Sequence, residues 1–274
     1  MPEGPEIRRA ADRLDDALGG HRLSRVHAPL ERLAELPRLL AGRRVLGVGA
    51  RGKALLTRFD NGLVLYSHNQ LYGRWEILPQ GDYPPSSRSL RLALHAGGKM
   101  ALLYSATEIE LLEEAELAGH PYLSRLGPEL LSPELDEADV IERFEQPRFR
   151  RRGLFGLLQD QSFVSGMGNY LACEALFAAR VHPQQRLADL EVERRHELAR
   201  VCLRLTRQSY ASGGITNDLD RAEALAEQGA DFEARRFLVY RREGLPCYRC
   251  STPIEKGRYG GRMGYRCPGC QRMR

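Results

Sequence analysis

The chain has 274 residues, is 42% hydrophobic, and carries a net charge of +5, most of its positive charge being arginine. That is enough apolar content for a real core and enough length for two domains, and the charge favours an anionic partner such as nucleic acid. The N-terminus has no basic stretch ahead of an apolar core, and no run approaches about 18 apolar residues. These absences lead us to expect a soluble cytoplasmic protein without a membrane anchor, whose six cysteines serve as metal ligands or buried thiols rather than disulfides.

The chain opens Met1-Pro2-Glu3-Gly4-Pro5-Glu6. A small second residue permits removal of Met1, leaving a proline whose ring nitrogen is both the α-amino group and a secondary amine. An α-amino group has a reference pKa of about 8 against about 10.4 for lysine, so far more of it is unprotonated and nucleophilic at neutral pH. Attack of a secondary amine on a sugar or aldehyde carbon gives a cationic iminium directly, an electron sink for later eliminations. Glu3 stands next to it to give or take the proton. The plain alternative is that Pro2 marks only initiator-Met removal and Gly4-Pro5 only a turn. If Met1 is retained, the amine is blocked.

Ile7, Ala10, Ala11, Leu14, Ala17 and Leu18 recur at helical spacing as far as Gly19-Gly20, predicting an amphipathic helix. From residue 21 to 112 the pattern changes to short β segments at 43–49, 53–59, 63–68, 72–78, 90–95 and 100–105. Asn61-Gly62 and Gly97-Gly98 are hairpin signals between them, and residues 79–88, with Pro84-Pro85-Ser86-Ser87, form a loop. This half predicts an antiparallel sandwich or barrel with a helix laid against it.

Gly119 to Pro133 reads as the crossing between domains, and helical periodicity follows. Asp136 is placed to cap a helix carrying Val140, Ile141 and Phe144. Arg148, Arg150, Arg151 and Arg152, interleaved with Phe149, suit either a solvated face or a surface that tracks a nucleic-acid backbone. Helices are expected at 154–163, 169–179 and 190–210. The first two flank Ser165-Gly166-Met167-Gly168, where Asn169 opens either a phosphate-binding helix N-terminus or a plain capped turn.

The sharpest signal is Cys247, Cys250, Cys267 and Cys270, a C-x2-C-x16-C-x2-C spacing. Each pair turns two thiolates toward one point, and a glycine-rich hairpin between them can bring the pairs together. Four thiolates leave no open coordination position, so the site predicts a structural Zn²⁺, with a redox dithiol as the alternative. Arg262 would lie at or near the hairpin tip, either reaching a ligand or solvated. Cys173 and Cys202 fall in helical runs as buried thiols.

Five segments then occur together in order: Pro2-Glu3-Gly4-Pro5-Glu6-Ile7, Arg51-Gly52-Lys53, Tyr66-Ser67-His68-Asn69-Gln70-Leu71-Tyr72-Gly73, Gly166-Met167-Gly168-Asn169-Tyr170, and the four-cysteine ribbon. In these the chain resembles the formamidopyrimidine-DNA glycosylase/endonuclease VIII family over nearly its whole length. The resemblance implies an α+β fold: a β-sandwich catalytic domain (1–125), a helical domain with a helix-two-turn-helix motif (126–234), and a zinc finger (235–274), with damaged duplex DNA clasped in the cleft between the lobes. It implies a monomeric, bifunctional glycosylase/AP lyase that excises oxidised bases, pyrimidines above all, through a Schiff base followed by β,δ-elimination. Pro2 would be the nucleophile and Glu3 the proton donor and acceptor, with Glu6 in support. Lys53, Asn169 and Arg262 would hold the phosphates flanking the lesion, and Gln70, Leu71 and Tyr72 would fill the gap left by the extruded nucleotide.

On residues alone, Lys53 would be a solvated strand lysine, and Leu71 and Tyr72 suit either the filling of a vacated stack or the core of a strand. The Gln-Leu-Tyr triplet and the Gly4-Pro5 variant favour oxidised pyrimidines over the oxidised purines of the formamidopyrimidine branch. Residues 213–236 match the family poorly. A non-catalytic zinc-ribbon clamp on DNA is the alternative from another class, because it would need the ribbon and arginines but not Pro2-Glu3.

Overall fold

The structure is a computed structural model that describes residues 2–273. It divides into two compact units between Arg125 and Leu126. The first begins with helix α1 (Gly4–Leu18), whose apolar stripe Ile7, Ala10, Ala11, Leu14, Ala17 and Leu18 is buried throughout. Then come β1 (Arg25–His27), α2 (Leu36–Leu40), β2 (Val45–Arg51), β3 (Ala54–Phe59), β4 (Leu63–His68), β5 (Arg74–Pro79), β6 (Leu90–Ala96), β7 (Lys99–Tyr104) and β8 (Glu108–Glu113). The strands form two antiparallel four-stranded sheets, β1-β6-β7-β5 and β2-β3-β4-β8, so the unit is a sandwich and not a barrel. Leu55, Phe59 and Leu65 from one sheet share an apolar core with Leu92, Leu94 and Leu103 from the other and with Ile7 and Leu14 of α1.

Both expected hairpins form. Gly62 takes φ +80 between β3 and β4, and Gly97 and Gly98 take φ +55 and +74 between β6 and β7, a conformation that favours glycine. Strands β1 and β8 go beyond the expected set. Glu108, Glu110 and Glu113 make β8 a poor strand former by propensity, and its pairing along β4 from His68↔Glu108 to Leu63↔Glu113 supplies what local preference does not. Strand β5 starts at Arg74, so Leu71 and Tyr72 lie in the loop before it and not in a strand core.

The second unit is helical: α3 (Glu137–Glu145), α4 (Pro147–Arg150), α5 (Leu154–Leu158), α6 (Asn169–Ala178), α7 (Val192–Ala211), α8 (Leu219–Glu227) and α9 (Phe232–Arg235), followed by the hairpin β9 (Glu255–Tyr259) and β10 (Arg262–Arg266). Asp136 caps α3 as expected, its carboxylate accepting from the Asp139 N–H at 3.0 Å while the Asp139 carboxylate accepts from the Asp136 N–H at 2.9 Å. Helix α5 stops five residues short of the expected 163, at Leu158. There Asp160 Oδ1 accepts both the N–H and the hydroxyl of Ser162 at 2.8 Å, a local turn that competes with further helix. The core gathers Phe144, Phe155, Phe163, Leu171, Phe177, Leu198 and Leu205, with Phe144 and Phe163 stacked at 5.4 Å. Cys173 and Cys202 are buried thiols, and burial pushes the Cys202 thiol up to about 12. Among the described residues no helix is long and apolar enough to cross a membrane.

One buried charge organises this unit. Glu174 on α6 is wholly buried, and its oxygens accept four hydrogen bonds: from the backbone N–H of Leu238 (2.7 Å), Val239 (2.8 Å) and Tyr240 (2.9 Å), and from the Thr216 hydroxyl (2.7 Å). Burial pushes its pKa upward, while the four donors oppose that by favouring the carboxylate. Glu174→Ala strands these donors away from water and is expected to cost about 3–5 kcal/mol. Urea denaturation of the purified variant reads this directly, and a midpoint equal to wild type would contradict the account.

Candidate active site

In the first unit, Glu3 is the N-cap of α1, in extended conformation and only 3% exposed. Its N–H donates to Glu6 Oε2 at 3.0 Å, and its carbonyl accepts from the Ile7 N–H at 3.0 Å. Glu6 thereby holds the backbone at residue 3, and with it the bond to Pro2. Pro2 is half-buried and borders a cavity of about 630 Å³, lined also by Glu6, Ile7, Asn69, Leu71 and Tyr72.

Lys53 occupies the second position of the two-residue turn between Arg51 and Ala54, after Gly52 at φ +59, the arrangement of a type II′ hairpin. It is half-buried, and its N–H donates to the Tyr122 hydroxyl at 2.9 Å. Tyr122 in turn packs edge-on against His68, with ring centroids 5.2 Å apart. Lys53 is therefore a turn residue held from behind rather than a solvated strand lysine.

Leu71 and Tyr72 are 57% and 70% exposed at the tip of the β4–β5 loop. Side by side on a tight loop, they form a small apolar edge that is open to contact. Gln70, just before them, points its amide back to the sheet, donating to Glu108 Oε1 at 2.5 Å and accepting from Thr107 Oγ1 at 2.6 Å.

In the second unit, Gly166 takes φ +91, and its N–H donates to Gln161 Oε1 at 3.0 Å, while Gln161 Nε2 donates to the Met167 carbonyl at 2.8 Å. The N-cap of α6 is Gly168, and Asn169 is the first helical residue, so Asn169 is not the cap its position suggested. Its amide is used instead across the fold: Nδ2 donates to the Met263 carbonyl on β10 at 2.8 Å, and Oδ1 faces the Cys173 thiol at 3.5 Å. Arg262 follows the tip glycines Gly260 and Gly261 (φ +56 and +81) and pairs with Tyr259. It is exposed, and its guanidinium donates to Gln159 Oε1 at 3.0 Å. Gln159, itself buried, donates to the Phe155 carbonyl at 2.8 Å. The Asn169 amide is thus tied to the residue next to Arg262, at the tip end of one hairpin.

Sequence reasoning missed Gln159, Gln161, Thr107, Glu108 and Tyr122. None stands in a motif, and each matters only through a neighbour brought close by the fold.

The ribbon closes as its spacing predicts. The sulfurs of Cys247, Cys250, Cys267 and Cys270 all lie within 4.8 Å of one another, with Cys247–Cys270 at 3.8 Å, Cys250–Cys267 at 3.4 Å and Cys250–Cys270 at 3.5 Å. A tetrahedral ion with Zn–S bonds of about 2.3 Å sets sulfurs about 3.8 Å apart, so this donor set fits one closed four-thiolate site.

The chain matches the formamidopyrimidine-DNA glycosylase N-terminal domain over residues 1–107 and the formamidopyrimidine-DNA glycosylase H2TH domain over residues 126–219. It is 45% identical to an endonuclease 8 of Escherichia coli over 271 residues, covering 99% of this chain and 100% of that protein. An endonuclease 8 of Shigella sonnei is 44% identical over the same span and coverage. Among solved structures, MutM in complex with carbocyclic 8-oxo-G containing DNA superposes with a TM-score of 0.82 at 23% identity, covering 99% of this chain and 100% of that one. The Lactococcus lactis Fpg complexed with an abasic site containing DNA does so at 0.83 and 22%, with the same coverage. At that identity these two likenesses establish the fold alone.

Proposed function

This chain belongs to the formamidopyrimidine-DNA glycosylase/endonuclease VIII family, and from that premise we propose a residue-level account of how it acts on damaged duplex DNA. It is a bifunctional DNA glycosylase and AP lyase. Its preferred bases are oxidised pyrimidines, a reading supported by the Gln70-Leu71-Tyr72 triplet and by the full-length likeness to endonuclease 8.

The observation that carries the account is the shared cavity: Pro2, Glu6, Leu71 and Tyr72 border one space. The residue whose amine would attack and the side chains that would fill the vacated stack lie around the same opening. Extruding a nucleotide costs a few kcal/mol, which apolar side chains entering the gap offset. Leu71 and Tyr72 are exposed and of suitable size for this.

With Met1 removed, the Pro2 nitrogen forms a bond to C1′ as the glycosidic bond breaks, and the base leaves with a proton supplied by Glu3. Ring opening yields the iminium. Loss of the C2′ proton expels the 3′ phosphate, and a second elimination expels the 5′ phosphate. Lys53, Asn169 and Arg262 hold the phosphates flanking the lesion, so that positioning supplies much of the barrier lowering. Met1 itself lies outside the described residues, and intact mass spectrometry checks its removal.

Cys247, Cys250, Cys267 and Cys270 would hold one structural Zn²⁺, which keeps the β9–β10 hairpin folded and leaves the chemistry to the amine. Residues 126–234 serve as the helical DNA-binding part and 235–274 as the zinc finger of the second unit. The protein works as a monomer in the cytoplasm.

Borohydride reduction during reaction with a duplex carrying an oxidised pyrimidine should trap one covalent adduct, with the DNA mapped by peptide mass spectrometry to residue 2. If the fully processed protein binds that duplex and yields no adduct, it is a clamp and not a lyase.

A further inference from the structure

Gln70 takes φ +49, a left-handed backbone that a side-chain-bearing residue adopts at a cost and keeps only where its surroundings hold it. Those surroundings are specific. Its N–H donates to His68 Nδ1 at 3.2 Å, its Nε2 to Glu108 Oε1 at 2.5 Å, and its Oε1 accepts from the Thr107 hydroxyl at 2.6 Å. Burial holds the His68 pKa below its ordinary value, with Glu108 opposing that and Lys53 adding to it, so the ring is neutral at neutral pH, and the Gln70 N–H directed at Nδ1 selects the tautomer in which Nδ1 accepts. Glu108 opens β8 and pairs with His68 across the ladder, which places one half of the clamp on the sheet and Thr107 in the bend just before it.

Beyond Gln70 the chain turns sharply. The Gly73 N–H returns to the Asn69 carbonyl at 2.7 Å, Arg88 donates to the Tyr72 carbonyl at 2.8 Å, and a Cβ on Gly73 would sit 2.6 Å from the Asn69 backbone. Leu71 and Tyr72 therefore project from a loop held at Gln70 on one side and at the Tyr72 carbonyl and Gly73 on the other, and of these holds only the Gln70 amide is gripped by two side chains.

We propose that Thr107 and Glu108 are positioning residues for nucleotide extrusion: through the Gln70 amide they hold Leu71 and Tyr72 in the projecting conformation before DNA arrives. Gln70 is then the anchor of the wedge, and Leu71 and Tyr72 are its working edge. A wedge ordered in advance avoids an ordering cost at the moment of insertion. This inference rests on reading Leu71 and Tyr72 as the void-filling pair.

The test compares two single-turnover rates: excision of an oxidised pyrimidine from duplex DNA, and cleavage at a preformed abasic site in a single strand, where no stack has to be filled. If the unpinned loop projects in one molecule in ten, Thr107→Val/Glu108→Ala slows duplex excision about tenfold and single-strand cleavage by less than about twofold. Thr107→Ser/Glu108→Gln keeps a hydroxyl donor and a carbonyl acceptor and is expected to restore the duplex rate. Should the double variant not fold, the isosteric Thr107→Val alone carries the same selective loss at about threefold.

Equal losses on both substrates, or no duplex loss, would overturn the positioning role, provided Leu71→Ala/Tyr72→Ala does slow duplex excision. If Leu71→Ala/Tyr72→Ala leaves duplex excision unchanged, the wedge reading falls first and the positioning role with it. A conservative pair as slow as Thr107→Val/Glu108→Ala would also overturn the hydrogen-bonded anchor.

Discussion

Glu3→Gln is expected to lower single-turnover excision of an oxidised pyrimidine by about 10²–10⁴-fold, the range removed with a positioned general acid. The change is nearly isosteric, and it keeps both the backbone contacts of residue 3, its N–H to Glu6 and its carbonyl to Ile7, and a side-chain oxygen to accept from the Glu6 N–H in the capping box. The helix start should therefore survive, and thermal unfolding should shift little. The loss should also depend on the substrate. Excising a base requires protonation of a departing ring nitrogen, whereas a preformed abasic site already offers an aldehyde to the amine. Borohydride trapping at an abasic site should consequently fall much less than base excision does. If excision by Glu3→Gln stays within about tenfold of wild type, proton transfer by this residue is not part of the reaction.

Loss of the metal site should have the second large effect. Structural zinc contributes about 10–16 kcal/mol of apparent binding energy in small zinc modules, and the apo forms of such modules are commonly unfolded. Here the four cysteines close a ribbon whose hairpin carries Arg262 and receives the Asn169 amide on the Met263 carbonyl. Cys267→Ser, or chelation of the wild-type protein, is expected to unfold that hairpin and weaken duplex binding by at least about 100-fold. Arg262→Ala alone is expected to cost about 10–100-fold, the worth of one charge-assisted contact. The zinc content of the purified protein, by elemental analysis, should be one equivalent, and DNA affinity is best measured at a fixed low salt concentration. Full affinity in the chelated protein would show that the ribbon does not carry those contacts.

The ribbon was legible because metal ligation writes its requirement into local spacing: each C-x2-C pair turns two sulfurs to one point whatever surrounds it. The hairpin at Gly97-Gly98 and the stripe on α1 were legible for a similar reason, since glycine conformation and helical periodicity are properties of a few consecutive residues. Pro2 and Glu3 could be singled out because the chemistry of an N-terminal secondary amine belongs to the residue type. Asn169 shows the limit. Its place after two glycines suggested a cap, yet the cap is Gly168, and the Asn169 amide instead bonds a carbonyl 94 residues away. Strand β8 shows the same limit from the other side, with three glutamates drawn into a sheet by the ladder of β4.

What the sequence determined by itself, then, was the chemistry available: a proline at position 2 with a carboxyl beside it, four cysteines at ligating spacing, and a basic, arginine-rich chain. Tertiary structure alone decided which side chains serve which. It turned Leu71 and Tyr72 outward, pinned Gln70 to Thr107 and Glu108, set Gln159 behind Arg262, and filled the wholly buried space around Glu174 with four donors. The physical reason is range. Reactivity and ligation geometry are set within a few bonds, whereas exposure and hydrogen-bond partners depend on groups distant in the chain that only packing brings within about 3 Å.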